Sequence, residues 1–366
     1  MIKAQDLVLP SVAGLAPYQP GKPIEELQRE LGIDEPVKLA SNENPVGPSP
    51  LAIEAIKAAL PELNRYPDGA SYALVRKIAE RHGVAPERVF PASGSVEVIN
   101  LLGFLFLRPG LNSVYSEHSF AIYPLATAAA GGEHKVVKTS DGFAHDLEAM
   151  AAAIDANTRI VFLGNPNNPT GTIYRRAEWK RFLERVPEHV VIVADEAYFE
   201  FVRDGQYPDS LQDHDDQRLI ITLRTFSKIF GLAGIRVGYA VARPDIIQML
   251  HNVRQPFNVT SLAQVAAVAG MDDTAHLART LQVNAEGMDY LEAEFKRLGL
   301  SFVPSHANFI LVEVGDGRAV YDGLLRKGVI VRPMNGYGYP HHVRISVGLP
   351  EENRRLIAAL SEVTRA

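Results

Sequence analysis

Three apolar runs that predict strands each end in polar side chains. The runs are RIVFLGNP, VVIVADEA and LIITLRTF. The polar residues at or just after their ends are, in the same order, Asn165–Asn168, Asp195 with Tyr198, and Ser227 with Lys228. Because ligands of open α/β sheets bind beyond the carboxyl ends of the strands, we expect an amide, a carboxylate, a phenol and an amine in one crevice.

This set of groups suits a pyridine aldehyde that carries a phosphate. The amine of Lys228 can form an imine with an aldehyde, and burial near other cations would lower its pKa toward reactivity. A carboxylate such as Asp195, facing the pyridine nitrogen, would keep that nitrogen protonated and make the ring an electron sink. Asparagine and tyrosine donors can hold the phenolate oxygen of the ring.

A phosphate needs backbone N–H groups at a helix N-terminus, hydroxyls and a guanidinium. The segment ASGSVEVINLL meets the first need, since the small residues Ser93–Ser95 precede an apolar helix. Thr225, Ser227 and Arg236 can supply the others. Taken alone, a lysine after a strand is usually a solvated surface residue, but its combination with the other strand-end groups favours an active site.

The surrounding pattern predicts the elements that position these groups. VVIVA and LIIT are continuous β-branched runs, which are typical of strands buried on both faces of a mainly parallel sheet. Helical stretches such as AEWKRFLERV supply the crossovers, so the middle of the chain is predicted as α/β with helices on both faces. The predicted strands are 159–166, 190–197, 219–226 and 237–242.

The two ends of the chain differ from this middle. The first residues read as an arm with one short helix, KPIEELQREL, which Gly32 ends, and Ser49 is the predicted N-cap of the next helix. After Phe257 come the helical SLAQVAAVAGM, a long helix over about 274–298, and the short strands NFILVEV, VIVRP and HVRISVG. The predicted division is an arm over 1–45, a large domain over 46–258 and a small α+β domain over 259–366.

Composition excludes several classes of function. The 366 residues are 46% hydrophobic and 22% charged, as in ordinary globular proteins, and the net charge of -6 with no basic block argues against nucleic-acid binding. The absence of cysteine excludes disulfides and thiolate chemistry. We expect neither a secretory signal nor a membrane span, hence a cytoplasmic enzyme. His341–His342 and the DHDD stretch at 213–216 suit a metal less well than a solvated loop, so no metal is expected.

Six motifs carry a resemblance to a known family. SNENPVGPSP, RYPD, NPNNPTG, DEAY, RTFSKIFGLAGIRVGY and VRISVG resemble, in order and spacing, the fold-type-I aminotransferases that use pyridoxal 5'-phosphate (PLP). SNENP with RYPD points to their histidinol-phosphate branch. The resemblance implies a three-layer α/β PLP-transferase fold with a mainly parallel central sheet, a smaller C-terminal α+β domain and an N-terminal arm. It also implies transamination of L-histidinol phosphate with 2-oxoglutarate, giving imidazole acetol phosphate and L-glutamate, in histidine biosynthesis.

The resemblance implies a role for each matching residue. Lys228 would hold PLP as a Schiff base and move the substrate proton, Asp195 would pair with the pyridine nitrogen, and Tyr198 would bind the phenolate oxygen. The remaining cofactor-binding residues would be Gly94, Ser95, Val96, Phe120, Asn168, Thr225, Ser227, Arg236 and Tyr66. The substrate would be bound by Tyr18, Asn44, Asn308, Arg332 and Arg344. Because Tyr66 would reach the phosphate of the neighbouring subunit, a homodimer is implied.

Two departures and several alternatives accompany this interpretation. Val96 stands where such proteins often have an acidic or amide residue, and Phe120 replaces a frequent tyrosine while keeping the stacking face. Arg344, Tyr66 and Tyr18 could instead serve in a surface ion pair, in interface packing and in arm packing. The rival activities are an aromatic amino-acid aminotransferase and, more remotely, a PLP-dependent phospho-amino-acid decarboxylase. A PLP-binding regulator without turnover is the alternative outside enzymes.

Overall fold

In the computed structural model, residues 2–140, 143–215 and 217–364 are described. Their strands are β1 (Val37–Lys38), β2 (Val89–Ala92), β3 (Asn112–Ser116), β4 (Glu133–Val137), β5 (Thr158–Gly164), β6 (Val191–Asp195), β7 (Leu219–Thr225), β8 (Gly238–Val241), β9 (Phe302–Val303), β10 (Phe309–Glu313), β11 (Val329–Ile330), β12 (Arg332–Pro333) and β13 (His342–Ser346).

Their α-helices are α1 (Pro10–Ala13), α2 (Ile24–Leu31), α3 (Pro50–Ala59), α4 (Tyr72–His82), α5 (Ser95–Phe106), α6 (Ile122–Ala129), α7 (Leu147–Ala152), α8 (Arg176–Arg185), α9 (Pro244–Val253), α10 (Ser261–Asp272), α11 (Thr274–Arg297), α12 (Gly317–Arg326) and α13 (Pro350–Val363). Short 3-10 helices lie at Ala4–Asp6, Leu60–Glu62, Pro86–Arg88, Phe199–Phe201, Ser210–Asp213, Ala233–Ile235 and Asn335–Tyr337.

The larger sheet has the strand order β2-β8-β7-β6-β5-β3-β4. Its neighbouring strands are parallel except at β8, which runs antiparallel to both β7 and β2. Every residue of β6 is buried, as a continuous β-branched run requires when both faces of a sheet are covered. The predicted α/β fold with a mainly parallel central sheet is therefore confirmed.

Helices cover the two faces of this sheet and form three layers with it. Ile160 and Phe162 of β5 pack with residues of α5, α6 and α9. Val161 and Leu163, which alternate with them, pack with residues of α7 and α8, including Trp179. This alternation follows from the two-residue period of a strand, and it gives each face its own core.

A smaller antiparallel sheet has the order β12-β13-β10-β9, and β1 pairs separately with β11 in parallel. Helices α11, α12 and α13 pack over it in a core that includes Phe295, Leu324 and Leu360. Helix α10 contributes instead to a core that it shares with α3 and α4. In the described part of the chain, no helix is both long and apolar enough to cross a membrane.

The predicted helix boundaries near the N-terminus are confirmed. Ser49 caps α3, its side chain accepting the N–H of Ala52 at 3.3 Å, and Pro50 occupies the first helical position. Gly32 ends α2 with φ +63°, a left-handed conformation that costs glycine little. The segment between these two caps contains residues that line the cavity described next.

Candidate active site

The carboxyl ends of β5, β6 and β7 open into a cavity of about 270 Å³. Most of the side chains predicted for the site line it together. These are Tyr18, Ser95, Val96, Phe120, Asn168, Asp195, Tyr198, Thr225, Ser227, Lys228, Arg236, Arg332 and Arg344. The crevice expected from the three strand ends is therefore present, and β12 and β13 of the smaller sheet add the two arginines.

Lys228 lies in the turn after β7. Its Nζ donates a hydrogen bond to the carbonyl oxygen of Ser41 at 3.3 Å. Burial first, and the charge of Arg344 second, lower the pKa of Lys228 to about 8, while Glu43 acts in the opposite direction. A larger neutral fraction at a given pH makes this amine a better nucleophile than an exposed lysine.

Asp195 ends β6 and is 5% exposed. Its Oδ2 accepts a hydrogen bond from the Tyr123 hydroxyl at 3.0 Å. Its Oδ1 is buried and has no hydrogen-bond partner among the described residues. Burial raises the pKa of Asp195 to about 6, against the lowering effect of Tyr123. A cationic N–H group in the cavity would satisfy this oxygen and keep the carboxylate charged.

The N-terminus of α5 and Arg236 together suit an anion. Gly94 precedes the helix with φ +79°, and a Cβ there would collide with the Arg236 guanidinium. Arg236 Nη1 donates to Ser227 Oγ at 3.3 Å, and the Ser227 N–H donates to Thr225 Oγ1 at 3.1 Å. A helix dipole, a guanidinium and hydroxyls thus converge as phosphate binding requires.

Tyr198 presents a phenol to the same cavity. Its hydroxyl accepts a hydrogen bond from Asn42 Nδ2 at 2.9 Å. Burial raises the pKa of Tyr198 to about 12, so the hydroxyl keeps its hydrogen at neutral pH. That hydrogen can therefore be donated to an oxygen in the cavity.

Two arginines lie side by side on the smaller sheet. Arg332 of β12 is the register partner of Arg344 of β13. Arg344 Nη1 donates to Asn168 Oδ1 and its Nη2 to the carbonyl of Ala40 at 2.9 Å. Arg332 lies 5.8 Å from the ring centroid of Tyr18, whose exposed fraction is 46%. Neither guanidinium forms a salt bridge with a carboxylate of the described residues, so both charges can serve an anionic ligand.

Four predicted residues do not line the cavity: Gly94, Asn44, Asn308 and Tyr66. Gly94 contributes by admitting Arg236. Asn44 Nδ2 donates to the carbonyl of Ile229 at 3.0 Å, and Asn308 Nδ2 donates to the carbonyl of Asn42 at 3.1 Å. Both amides thus hold backbone, and the substrate contacts expected of them stay predictions.

Tyr66 points to another part of the surface. Its side chain is 83% exposed and stacks on Phe257, with ring centroids 4.7 Å apart. Its predicted contact with a neighbouring subunit also stays a prediction. Of the two departures, Val96 lines the cavity, and Phe120 packs edge to face on Tyr123 at 5.8 Å.

Among the cavity residues that were not predicted, Asn42 and Tyr123 have polar side chains that are each only 1% exposed. They lie in the short segments SNENP and HSFAIY. Tyr123 lies three residues after Phe120, one helical turn along, and this spacing was the available signal. Asn42 had no comparable signal. Asn42 and Asn44 look alike in the sequence SNEN, and only the folded turn shows that Asn42 is the buried one.

Of the two segments that suggested a metal, the DHDD stretch makes other contacts where it is described. Asp213 accepts the Trp179 Nε1–H at 2.9 Å, and His214 Nε2 lies 2.9 Å from Thr222 Oγ1. Asp216, the last residue of that stretch, lies outside the described residues. Among residues 2–140, 143–215 and 217–364, no group of three or more acidic, histidine or cysteine side chains could hold a metal ion.

Comparison with known proteins places this geometry in a family. Residues 34–360 match the family model described as aminotransferase class I and II. Histidinol-phosphate aminotransferase 2 of Pseudomonas aeruginosa is 52% identical, with 98% of this chain and 97% of that protein covered. Its namesake of Pseudomonas fluorescens is 51% identical at the same coverage.

A solved structure agrees with these relatives. The histidinol-phosphate aminotransferase of Sinorhizobium meliloti, in complex with pyridoxal-5'-phosphate, superposes with a TM-score of 0.89 and is 28% identical, with 98% of this chain and 97% of that chain covered. This chain thus shares its fold with that structure over nearly its full length. The chain belongs to the family of class I and II aminotransferases.

Proposed function

We propose that this chain is a PLP-dependent aminotransferase that converts L-histidinol phosphate and 2-oxoglutarate to imidazole acetol phosphate and L-glutamate in histidine biosynthesis. The observation that carries this proposal is one cavity that holds Lys228, Asp195, a phosphate site and the arginine pair Arg332 and Arg344. Relatives that are about 50% identical to this chain over nearly their full length carry the corresponding name.

The cavity fits PLP at three points. The buried Asp195 Oδ1 has no partner within the described part of the chain, and a protonated pyridine nitrogen is the partner it suits. The α5 N-terminus with Arg236 suits the phosphate. The amine of Lys228, with its pKa lowered to about 8, suits the aldehyde. When bound, PLP supplies an electron sink for the pair of electrons left when the substrate loses its proton.

The surrounding side chains would hold the ring and move protons. Lys228 Nζ would take the proton from the substrate carbon and return it, because it is the amine in the cavity with a lowered pKa. Tyr198 would donate its hydroxyl hydrogen to the ring oxygen. Asn168 would donate to the same oxygen through its amide nitrogen, since its Oδ1 is occupied by Arg344. Phe120 would pack on the ring.

Substrate selection would depend on the two arginines. Histidinol phosphate brings a phosphate and 2-oxoglutarate brings two carboxylates, and a guanidinium offers a similar pair of N–H donors to either group. Arg344 is 6% exposed and fixed by Asn168 and Ala40. Arg332 is more open, and Tyr18 lies beside it at the cavity edge. We assign Arg344 to anion binding in both half-reactions, with Arg332 and Tyr18 at the far end of the substrate.

We further propose a cytoplasmic homodimer in which Tyr66 serves the neighbouring site. Tyr66 and Phe257 form a stacked aromatic pair that is 83% and 43% exposed. Leu60 and Leu63, which are also exposed, lie close to Tyr66 in sequence. Burying such side chains against a second copy would remove apolar area from water.

A half-reaction spectrum tests the substrate. L-Histidinol phosphate, L-phenylalanine and L-glutamate are added separately to the yellow holoenzyme, and loss of its cofactor absorbance is followed. We expect the fastest conversion with histidinol phosphate. Faster conversion by phenylalanine would assign the protein to aromatic amino-acid transamination instead. No conversion by any donor would contradict an aminotransferase.

Variants at an arginine sharpen this test. Arg344→Gln removes a cavity cation, and we expect slower conversion by both histidinol phosphate and glutamate. Arg354→Gln is the matched control, because Arg354 lies on α13 in an exposed pair with Glu351 at 3.2 Å. The control is expected to leave both rates unchanged. Equal rates in Arg344→Gln and the native protein would remove Arg344 from the substrate site.

A further inference from the structure

Asn42 forms hydrogen bonds with two separate parts of the molecule. It lies in the segment before α3, is 1% exposed, and has φ +54°. Asparagine enters this left-handed region more readily than other residues with a Cβ. Its polar groups meet Tyr198, in the turn after β6, on one side, and Ser346 of β13 and Asn308, just before β10, on the other.

The hydrogen bonds of Asn42 define which way its amide points. The Asn42 N–H donates to Ser346 Oγ at 2.9 Å, so the Ser346 hydroxyl hydrogen is left to be donated to Asn42 Oδ1 at 3.1 Å. With the amide reversed, the Ser346 oxygen would accept from both the N–H and the NH₂ group of Asn42, and the Ser346 hydrogen would lose its acceptor in Asn42. The Nδ2 group is therefore the end that meets Tyr198, at 2.9 Å.

This orientation decides what the phenol can do. Because the Tyr198 oxygen accepts a hydrogen from Asn42, its own hydrogen cannot be spent on that amide and is directed to another acceptor. Tyr198 lines the cavity, and the ring oxygen of the cofactor is the acceptor assigned to it under the proposed function. An oxygen acceptor in place of Nδ2 would draw the phenol hydrogen away from the cavity.

The anchor of Asn42 also belongs to the strand that carries Arg344. Ser346 is two residues after Arg344 on β13, and two residues along a strand share a face. Arg344 holds the carbonyl of Ala40 at 2.9 Å while Ser346 holds Asn42. One strand thus fixes both the anion-binding guanidinium and, through Asn42, the donor that faces the cofactor.

We infer that Asn42 is a positioning residue, which fixes the Tyr198 hydroxyl as a hydrogen-bond donor to the ring oxygen of the cofactor. This rests on the proposed function only in so far as PLP is the cofactor, and it does not depend on which amino donor is used. Removal of such a donor leaves more negative charge on the ring oxygen. The Schiff-base nitrogen between Lys228 and the cofactor lies beside this oxygen, so it would hold its proton to a higher pH.

The test is a pH titration of the cofactor colour in the holoenzyme without substrate. Tyr198→Phe is expected to raise the midpoint by about one to two pH units, the size of a hydrogen bond to a charged group. Asn42→Asp is expected to give a similar rise, because a carboxylate can only accept from the phenol. Asn42→Gly, which tolerates φ +54°, is expected to give a smaller rise.

A double-mutant cycle separates positioning from other effects. In the Tyr198→Phe background, Asn42→Asp and Asn42→Gly are expected to cause no further shift. Arg344, Asp195 and Lys228 act on Tyr198 through their charges and are unchanged in every variant. An equal shift of the midpoint with and without the Tyr198 hydroxyl would mean that Asn42 acts through charge or packing, and would overturn the inference.

A matched control and a second variant complete the design. Asn353 is also 1% exposed, and its side chain bonds the backbone of Gly348 at 2.9 Å, so Asn353→Asp is expected to leave the midpoint in place. If Asn42→Asp does not fold, Ser346→Ala tests the anchor, with a rise expected only when Tyr198 is present. An unshifted midpoint in both Asn42→Gly and Ser346→Ala would also overturn the inference. A holoenzyme that keeps these shifts but rejects histidinol phosphate would contradict the substrate alone.

Discussion

At the scale of single residues, the proposed function makes turnover depend most on Lys228. It has a pKa lowered to about 8, and no other lysine of the described residues lines the cavity. We expect Lys228→Ala to lower the transamination rate at least about a thousandfold, the range of a lost general base. The yellow colour should change as well, since the covalent bond to the cofactor is lost.

The control is Lys327→Ala, an exposed lysine that pairs with Glu362. It should keep both rate and colour. Steady-state rates and an absorbance spectrum at matched protein concentration are sufficient measurements. Retained transamination in Lys228→Ala would sink the assignment of this lysine.

The buried charge of Asp195 is expected to serve cofactor binding while it lowers the stability of the cofactor-free protein. Burial raises its pKa from 3.8 to about 6 in the cofactor-free protein. Between these two values the folded chain binds more protons than the unfolded chain, so this carboxyl's contribution to stability falls as the pH rises through the window. Above about pH 6 the loss of unfolding free energy is complete, and it is at most about 3 kcal/mol for a shift of this size.

We therefore expect Asp195→Asn to stabilise the cofactor-free protein at about pH 7, while the gain shrinks toward pH 4. Asparagine keeps an acceptor for the Tyr123 hydroxyl, so that hydrogen bond can persist. Urea unfolding of both cofactor-free proteins at the two pH values measures the difference. A gain that is independent of pH would show that the buried charge is not its cause. With PLP bound, the sign should reverse, because only the carboxylate suits the ring nitrogen.

Residues at or just after the strand ends were more predictable from the sequence than residues in the segment before α3. Asp195 and Lys228 were predictable because parallel strands deliver their carboxyl ends to one edge of a sheet. Asn42 was not, because its partners Tyr198 and Ser346 are 156 and 304 residues away in the chain. Which asparagine of SNEN is buried depends on a positive φ that no periodicity reveals.

At the scale of elements, the N-terminus of α5 depends on a residue without a side chain. Gly94 has φ +79° and ψ 160°, a region open essentially to glycine, and a Cβ would strike Arg236. We expect Gly94→Ala to weaken cofactor binding by roughly tenfold or more, because the new methyl group would displace Arg236 from the phosphate. A loss of about 1.4 kcal/mol of binding free energy is enough for that factor.

The matched control for this helix is Gly83→Ala at the end of α4. Gly83 also has positive φ, +64°, but a Cβ there meets nothing within 4 Å. It should cost about 1 kcal/mol of stability from backbone strain and leave cofactor affinity unchanged. Affinity is measured by titrating the cofactor-free proteins with PLP and following the absorbance or fluorescence change. Equal affinities of the two variants would show that Arg236 tolerates displacement.

The elements themselves were largely predictable, and the differences have physical reasons. The predicted strands 159–166 and 219–226 correspond to β5 at 158–164 and β7 at 219–225. Each observed strand ends earlier than predicted because the backbone leaves the sheet where the polar residues of the site begin. VIVRP, predicted as one strand, is split into β11 and β12, which belong to different sheets. Val331 between them is buried at 1% exposure, so the turn from one sheet to the other lies in the core.

At the scale of the whole molecule, we propose the division into an arm over 1–45, a large domain over 46–258 and a small domain over 259–366. The arm touches the proposed small domain, since β1 pairs with β11 and Leu27 packs with Ile330. Helix α10 follows the proposed boundary yet packs with α3 and α4. It therefore ties the small domain to the large one, an arrangement that the helical pattern of SLAQVAAVAGM did not indicate.

The dimer proposal makes a prediction about mixed subunits. If Tyr66 serves the site of its partner, each active site combines Lys228 of one subunit with Tyr66 of the other. We expect Tyr66→Phe to weaken cofactor binding in a homodimer, because a hydroxyl contact to the phosphate is lost. Lys228→Ala should be inactive as a homodimer.

A hybrid of these two variants separates the possible arrangements. One of its sites would contain a native Lys228 and a native Tyr66, and the other would contain neither. The hybrid, purified with two different affinity tags after co-expression, should therefore regain native cofactor affinity at half of its sites, with about half of the native turnover per dimer. If Tyr66 acted within its own subunit, every site with Lys228 would carry the Tyr66→Phe substitution, and the hybrid would keep the weak affinity of the Tyr66→Phe protein. A chain that sediments as a monomer while binding PLP normally would contradict the shared site outright, and the exposed stack of Tyr66 on Phe257 would then need another partner.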